Sequence, residues 1–194
     1  MYLESQNNHL IQKGSIEVIC GSMFSGKTEE LLRRLKRAKF AKLKVEIYKP
    51  IIDKRYDNEK IVSHDENFIQ SVAVENSCEI LQKIENPDII AIDEAQFFTD
   101  DLSGVCNELA NKGIRVIVAG LDMDFLGKPF GKMPELLSVA EQITKVHAIC
   151  LDCGDIANNS YRINDGNKLV ELGEKENYKP LCRKCFSKNN QNLD

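Results

Sequence analysis

Hydrophobic positions along the chain come in short continuous runs and in helical stripes, and the two alternate. Ser15 to Cys20 (SIEVIC) is an apolar, β-branched run that reads as a strand. From Glu29 strong helix formers take over, and Leu31, Leu32, Leu35 and Ala38 supply a buried stripe. Val45 to Tyr48 (VEIY) reads as a strand ended by Pro50, and the polar stretch Ile51 to Asp65 as a mobile loop. Phe68 to Val74 follows as a further strand. Ser77 is placed to cap a short helix from Cys78 to Glu85, which stops before Pro87. Asp88 to Asp93 (DIIAID) has the nearly unbroken apolar character of a buried parallel strand. A helix is predicted from Asp101 to Asn111 with Gly113 closing it, then a strand from Arg115 to Ala119. Pro134 fits the first turn of a helix through Leu136, Leu137 and Ala140, and Ile143 to Ile149 completes the strands. This alternation predicts an α/β core with a mostly parallel sheet. Ligands bind such sheets outside the carboxyl ends of the strands, where Gly21, Asp93 and Gly120 fall.

Length adds one constraint: 194 residues suffice for one domain with a good core and a small appendage. No apolar run reaches the roughly 18 residues of a membrane helix. Met1 to Lys13 is polar, without the apolar centre of a signal peptide, so a cytoplasmic protein is expected. A net charge of −4 gives general nucleic-acid binding no support. Locally, Arg33, Arg34, Lys36, Arg37, Lys39, Lys42 and Lys44 crowd one helix and its exit, and read as a solvated face.

The first chemical motif is Gly21-Ser22-Met23-Phe24-Ser25-Gly26-Lys27-Thr28, which fits Gly-x4-Gly-Lys-Ser/Thr between a strand and a helix. Its glycines let backbone N–H groups approach phosphate oxygens, and the helix N-terminus adds a positive dipole end. Lys27 is suited to reach β- and γ-phosphates, and Thr28 to offer a hydroxyl to Mg2+. The second is Asp93, an acid at the end of an apolar strand, as in the metal-holding strand of P-loop NTPases. Glu94 beside it can take a proton from the attacking group. Water as that group makes an ATPase and a substrate hydroxyl makes a kinase, and the motif does not choose. Ser63-His64-Asp65 carries triad letters, but sequence neighbours rarely form a triad.

Seven cysteines are present. Cys20, Cys78 and Cys106 read as small buried hydrophobes. Cys150-x2-Cys153 and Cys182-x2-Cys185 suit a closed, tetrahedral, structural Zn2+ site, with a redox pair or free thiols as the alternatives. His147 is near enough in sequence to replace one of them, although an ordinary histidine is the simpler reading. Between the pairs, Ser160 to Ile163 and Lys168 to Leu172 flank Asn164-Asp165-Gly166-Asn167, a hairpin pattern. Zinc would tie the ends of this excursion, which has too few large apolar residues to hold its shape alone.

With Asp93-Glu94-Ala95-Gln96-Phe97-Phe98, Gly120-Leu121-Asp122, Phe125, Lys128-Pro129-Phe130-Gly131 and Tyr178 four residues before Cys182, the two motifs and the cysteines resemble the type II thymidine kinases, from Ser15 to Phe186. The resemblance implies a RecA-like P-loop fold with a small zinc-ribbon or lasso subdomain. It implies ATP-dependent phosphorylation of the 5′-hydroxyl of thymidine, and of deoxyuridine, in nucleoside salvage for DNA synthesis. Glu94 would be the general base. Gly21 to Thr28, Asp93, Gln96 and Arg55 would serve ATP, Thr28 and Asp93 would organise Mg2+, and Asp53 lies on the same loop as Arg55. Met23, Phe97, Leu121, Phe125, Ser160 and Tyr178 would line the thymine slot, where a flat base needs faces to stack on. Main-chain groups of Leu169, Val170, Glu171, Leu172 and Gly173 would bind the thymine edge, and closure of this lasso would exclude water. Cys185 stands where the human member has His, and Ser160 where the family often has Thr.

The implied organisation is a terminus at 1–13, a P-loop domain at 14–149, a zinc-binding lasso at 150–186 and a disordered tail at 187–194. Family members are usually homotetramers inhibited by thymidine triphosphate, with no membrane or nucleic-acid partner. The competing expectation is a nucleic-acid-dependent P-loop ATPase whose zinc ribbon grips the nucleic acid.

Overall fold

The computed structural model describes residues 14–51, 60–61, 69–163 and 177–190. In chain order the elements are β1 (Ser15–Cys20), α1 (Lys27–Phe40), β2 (Val45–Pro50), β3 (Lys60–Ile61), β4 (Ile69–Gln70), β5 (Val72–Val74), α2 (Cys78–Lys83), β6 (Ile89–Ile92), α3 (Leu102–Asn111) and β7 (Arg115–Gly120). They continue with α4 (Met133–Val139), β8 (Gln142–Lys145), β9 (Ala148–Ile149), β10 (Ile156–Ala157), β11 (Asn159–Arg162), β12 (Tyr178–Leu181) and α5 (Arg183–Asn190). The main sheet runs β5-β2-β6-β7-β1-β8, and every pairing in it is parallel. Parallel strands need crossovers, and the apolar runs separated by helical stripes supply them. No helix among the described residues is long and apolar enough to cross a membrane.

Both faces of the sheet are covered, which is why its central strands are apolar throughout. In β7, Val116 and Val118 face a cluster with Leu102, Val105 and Leu109 of α3 and Met133 and Leu136 of α4. Ile117 and Ala119 face the opposite cluster, with Leu31, Leu32, Leu35 and Ala38 of α1. Each fully buried Leu or Ile contributes roughly 1.5–3 kcal/mol. A third, smaller cluster joins Ala148, Cys150, Ala157, Leu181 and Cys182 beyond the sheet.

Several elements differ from the sequence reading, and non-local partners explain most of the differences. Phe68 to Val74 is not one strand: β4 pairs antiparallel with β3, inside the stretch read as a loop, while β5 joins the sheet beside β2. β2 extends to Pro50, whose missing N–H falls at the strand's last residue. Ile143 to Ile149 breaks at Val146 and His147; β8 completes the sheet and β9 turns away to pair with β10. Ser160–Ile163 finds its partner in β12, while Lys168–Leu172 lies outside the described residues. Ser77 does not cap α2, because its hydroxyl and N–H both donate to Asp100 Oδ2, at 2.6 and 2.7 Å.

Three further readings are corrected too. Arg34 leaves the solvated face of α1 for the interior, where it meets Glu17 at 2.6 Å, Glu30 at 2.8 Å and Thr144 Oγ1 at 2.8 Å. Glu17, near the start of β1, also holds Arg115 at 2.6 Å, so this buried carboxylate has a cation on either side. Cys20 and Cys106 are buried as expected, but Cys78 is exposed at the start of α2. The polar run from Ser187, expected to be disordered, is helical through Asn190 as the end of α5.

Candidate active site

Three neighbouring strands end on the same edge of the sheet, β1 at Gly21, β6 at Asp93 and β7 at Leu121. After β1 the chain turns through Gly21 (φ 147°), Phe24 (φ 62°) and Gly26 (φ 84°) into α1. Gly21 is obligatory: a Cβ there would lie 2.2 Å from the Val146 carbonyl oxygen, where the chain leaves β8. No side chain caps α1, so its first N–H groups converge on the space above the loop. Ser25 Oγ donates to the Ser22 carbonyl at 2.7 Å, and Lys27 Nζ donates to the same oxygen at 2.9 Å. Both bonds brace the loop on the Ser22 carbonyl. Phe24 is exposed, so this residue serves through its backbone conformation. Cys20, just before the loop, has its thiol pushed up to about 11 by burial, with Asp122 nearby adding to the effect. It therefore stays neutral and packs.

Asp93 is buried below Thr28, whose hydroxyl donates to its Oδ2 at 3.4 Å. Its Oδ1 accepts the N–H of Glu94 at 2.9 Å. Glu94 sits in the left-handed region (φ 54°), which turns the chain from β6 into a single 3-10 turn, Ala95–Phe97. That turn brings Gln96 inward. Gln96 Nε2 donates to Glu94 Oε2 at 2.6 Å, and its Oε1 accepts the N–H of Leu121 at 2.9 Å. One buried amide thus ties the Glu94 carboxylate to the end of β7.

Beyond β7 the loop folds on Asp124, whose Oδ1 accepts the N–H groups of Leu126 and Lys128, each at 2.9 Å. This turn presents Phe125. Phe97 packs edge-on against Phe130 at 6.0 Å between centroids. From the distal subdomain, β11 delivers Ser160, whose Oγ accepts the N–H of Met23 at 2.9 Å. Tyr178, the cross-strand partner of Arg162, is buried nearby.

Among the described residues, the structure brings together the loop Gly21–Thr28, Asp93, Glu94, Gln96, Leu121, Ser160 and Met23 through these contacts. Asp53, Arg55, the Ser63-His64-Asp65 stretch and Leu169 to Gly173 lie outside the described residues. Sequence reasoning missed Arg162, and it placed Asp122 in a motif without giving it a partner. Arg162 is buried, with its guanidinium 3.6 Å above the Phe125 ring. Its signal was the alternation of β11, which sets it on the same face as Ser160. Asp122 is buried and pairs with Lys145 of β8 at 2.6 Å, a contact between distant segments that no local pattern marks.

The four sulfurs of Cys150, Cys153, Cys182 and Cys185 lie within 4.8 Å of one another, with Cys153 and Cys182 at 3.6 Å. Tetrahedral Zn–S bonds require sulfurs about 3.8 Å apart, so the cluster fits a zinc ion. Burial opposes ionisation of Cys150, but the backbone N–H groups at Cys182, Asp152 and Cys153 outweigh it and draw the thiol down to about 6. The neighbouring thiols Cys153 and Cys182 push Cys185 up to about 12. Four crowded sulfurs cannot all ionise without a cation between them. His147 is outside this group; its Nδ1 meets Asn158 Oδ1 at 2.5 Å.

A family model described as thymidine kinase matches residues 14–186. A thymidine kinase of Bacteroides thetaiotaomicron is 55% identical over 186 residues, covering 96% of this chain and 94% of its own. One from Porphyromonas gingivalis is 56% identical over 190 residues, covering 97% of this chain and 93% of its own. One from a Rhodothermus species is 53% identical over 173 residues, covering 89% and 81%. The solved ATPase DotB of Legionella pneumophila overlaps 66% of this chain and 34% of its own at 17% identity and a TM-score of 0.40, too distant a likeness to carry an argument. The chain belongs to the thymidine kinase family.

Proposed function

We propose that this chain transfers the γ-phosphoryl group of ATP to the 5′-hydroxyl of thymidine, and of deoxyuridine, in the cytoplasm. The observation that carries the reading is the Gln96 bridge. It connects Glu94, beside the phosphate loop, to Leu121, at the aromatic slot. A carboxylate held there stands between donor and acceptor, where a base must take the proton of the attacking hydroxyl.

The phosphate loop and Lys27 hold the β- and γ-phosphates. Thr28 and Asp93 would organise Mg2+, which would neutralise charge on them, and Arg55, with Asp53, would serve the phosphates. Phe97, Phe125, Leu121, Met23, Ser160 and Tyr178 grip the base, and Leu169 to Gly173 close over its edge through main-chain groups. Zn2+ on the four cysteines fixes the ends of that closing segment and supplies no chemistry to the transfer. The enzyme works as a homotetramer and is inhibited by thymidine triphosphate, which spans the acceptor site and the phosphate loop. The nucleic-acid-dependent ATPase reading is not favoured, because the family match covers residues 14–186.

The test is transfer of label from γ-labelled ATP to each nucleoside in turn. Thymidine monophosphate is the expected product. ATP hydrolysis stimulated by DNA, without thymidine monophosphate, would replace this reading with the ATPase.

A further inference from the structure

Arg162 combines features with no evident place in phosphoryl transfer. It is 6% exposed, yet its guanidinium is a large, well-hydrated cation in water. Its Cζ lies over the Phe125 ring, 3.6 Å from the centroid. Its Nη2 and Nε donate to the phenol oxygen of Tyr178, at 2.9 and 3.3 Å. Phe125 is on the loop after β7, Arg162 on β11 and Tyr178 on β12. Three segments therefore meet on one side chain.

We propose that Arg162 is a positioning residue for the nucleoside slot, setting the plane of Phe125 and the place of Tyr178 with one planar fork. The inference rests on the thymidine kinase reading above. A guanidinium suits the task because it is flat, so it stacks on a ring while its edge keeps N–H donors for a neighbour. An ammonium can sit over a ring or donate to an oxygen, but it does not fix a plane. Both donations enter the acceptor side of the Tyr178 oxygen, so the phenol proton points away from Arg162. The two bonds hold the phenol oxygen, and with it the far end of the ring, in place.

The same strand face carries Ser160, which accepts the Met23 N–H. β11 thus touches the phosphate loop at one position and the aromatic walls at the next residue on that face. The two contacts separate by substrate: Ser160 reaches the loop, whereas Arg162 meets the Phe125 ring and the Tyr178 hydroxyl. Loss of Arg162 should therefore weaken thymidine binding and leave ATP binding alone.

The experiment compares the full-length wild type with Arg162→Lys, Arg162→Leu, Tyr178→Phe and the Arg162→Leu/Tyr178→Phe double variant. Thymidine and ATP KM, thymidine Kd by calorimetry, zinc content and melting temperature are measured for each. Arg162→Leu is expected to raise thymidine KM and Kd about tenfold, with ATP KM moving by less than about twofold. Arg162→Lys should resemble Arg162→Leu rather than the wild type, since it keeps charge and loses the fork. The double variant should be little worse than the poorer single variant, because both remove one contact. A purely structural role would instead lower the melting temperature and zinc content and raise both KM values together. That result would overturn the proposal, as would an Arg162→Lys enzyme indistinguishable from wild type or independent, multiplying effects in the double variant. Should Arg162→Leu fail to fold, Arg162→Lys and Tyr178→Phe decide alone; an unchanged thymidine Kd in both refutes the assignment. A wild type that neither binds nor phosphorylates thymidine removes the thymidine reading itself and this inference with it. A working wild type with unmoved variants removes the Arg162 assignment only.

Discussion

The hydroxyl oxygen of Ser160 accepts the backbone N–H of Met23 at 2.9 Å, across 137 positions of sequence. A residue of β11 thereby takes up one backbone donor of the phosphate loop. Ser160→Ala leaves that N–H without its acceptor, at a cost of about 1–3 kcal/mol. The expected result is a fall in kcat/KM of about tenfold for thymidine and for ATP alike, while Ser160→Thr keeps the bond and stays close to wild type. Steady-state kinetics against both substrates checks this. An Ala variant as active as the Thr variant would show the bond to be idle.

Glu94→Gln preserves side-chain size and removes the proton acceptor. Turnover should drop by about two to four orders of magnitude, the usual worth of a positioned general base. ATP affinity, set by the loop residues Gly21 to Thr28, should hold. Single-turnover transfer with parallel ATP calorimetry separates the two. Activity within a few fold of wild type would move the base elsewhere.

Purified protein should carry about one Zn2+ per chain, measured by elemental analysis. Cys150→Ser removes the thiol that the surrounding backbone N–H groups draw down. It should lose the metal and lower the melting temperature, by about 2–4 °C for each kcal/mol lost in a chain of this size. Chelation of the wild type should reproduce the shift. Four titratable free thiols and no metal in folded, active enzyme would contradict the site.

Glu30 gives a pH signature. Its hydrogen bond to Arg33 holds the carboxyl down, burial partly opposes this, and Arg34 adds to the lowering, from an ordinary 4.5 to about 2. A depressed carboxyl stabilises the fold above its unfolded pKa and stops doing so as pH falls through its folded one. Glu30→Gln should therefore be less stable than wild type at neutral pH, and the gap should close between about 4.5 and about 2. Denaturant titrations of both proteins across that range measure the gap. A difference that stays constant with pH would remove Glu30 from the acid stability of the fold.

The motifs that were legible in the sequence are those whose chemistry is local. Gly21 to Thr28 must be contiguous to wrap a phosphate, and Asp93 and Glu94 must end one strand, so spacing alone exposes them. The cysteine pairs are legible for the same reason. What stayed hidden depends on partners far along the chain. Nothing near Ser77 says that its hydroxyl goes to Asp100, and nothing near Arg34 says that Glu17 draws it inward. The break between β8 and β9 follows from the approach of Val146 to Gly21, a contact between segments that only folding brings together. Ser160–Ile163 showed its strand character but not its partner, because a hairpin turn competes in sequence with the more distant β12.

The left-handed backbone of Glu94 has a consequence for how such an enzyme could drift. A side chain with a Cβ is held there against an intrinsic cost of roughly 1–2 kcal/mol, which glycine would not incur. Among the described residues Phe24, Lys42 and Asn86 share this conformation, but Glu94 is the one whose exchange for glycine the proposed chemistry could least survive. A library selected for heat resistance alone would tend to enrich glycine here and return well-folded proteins that bind ATP and do nothing with it.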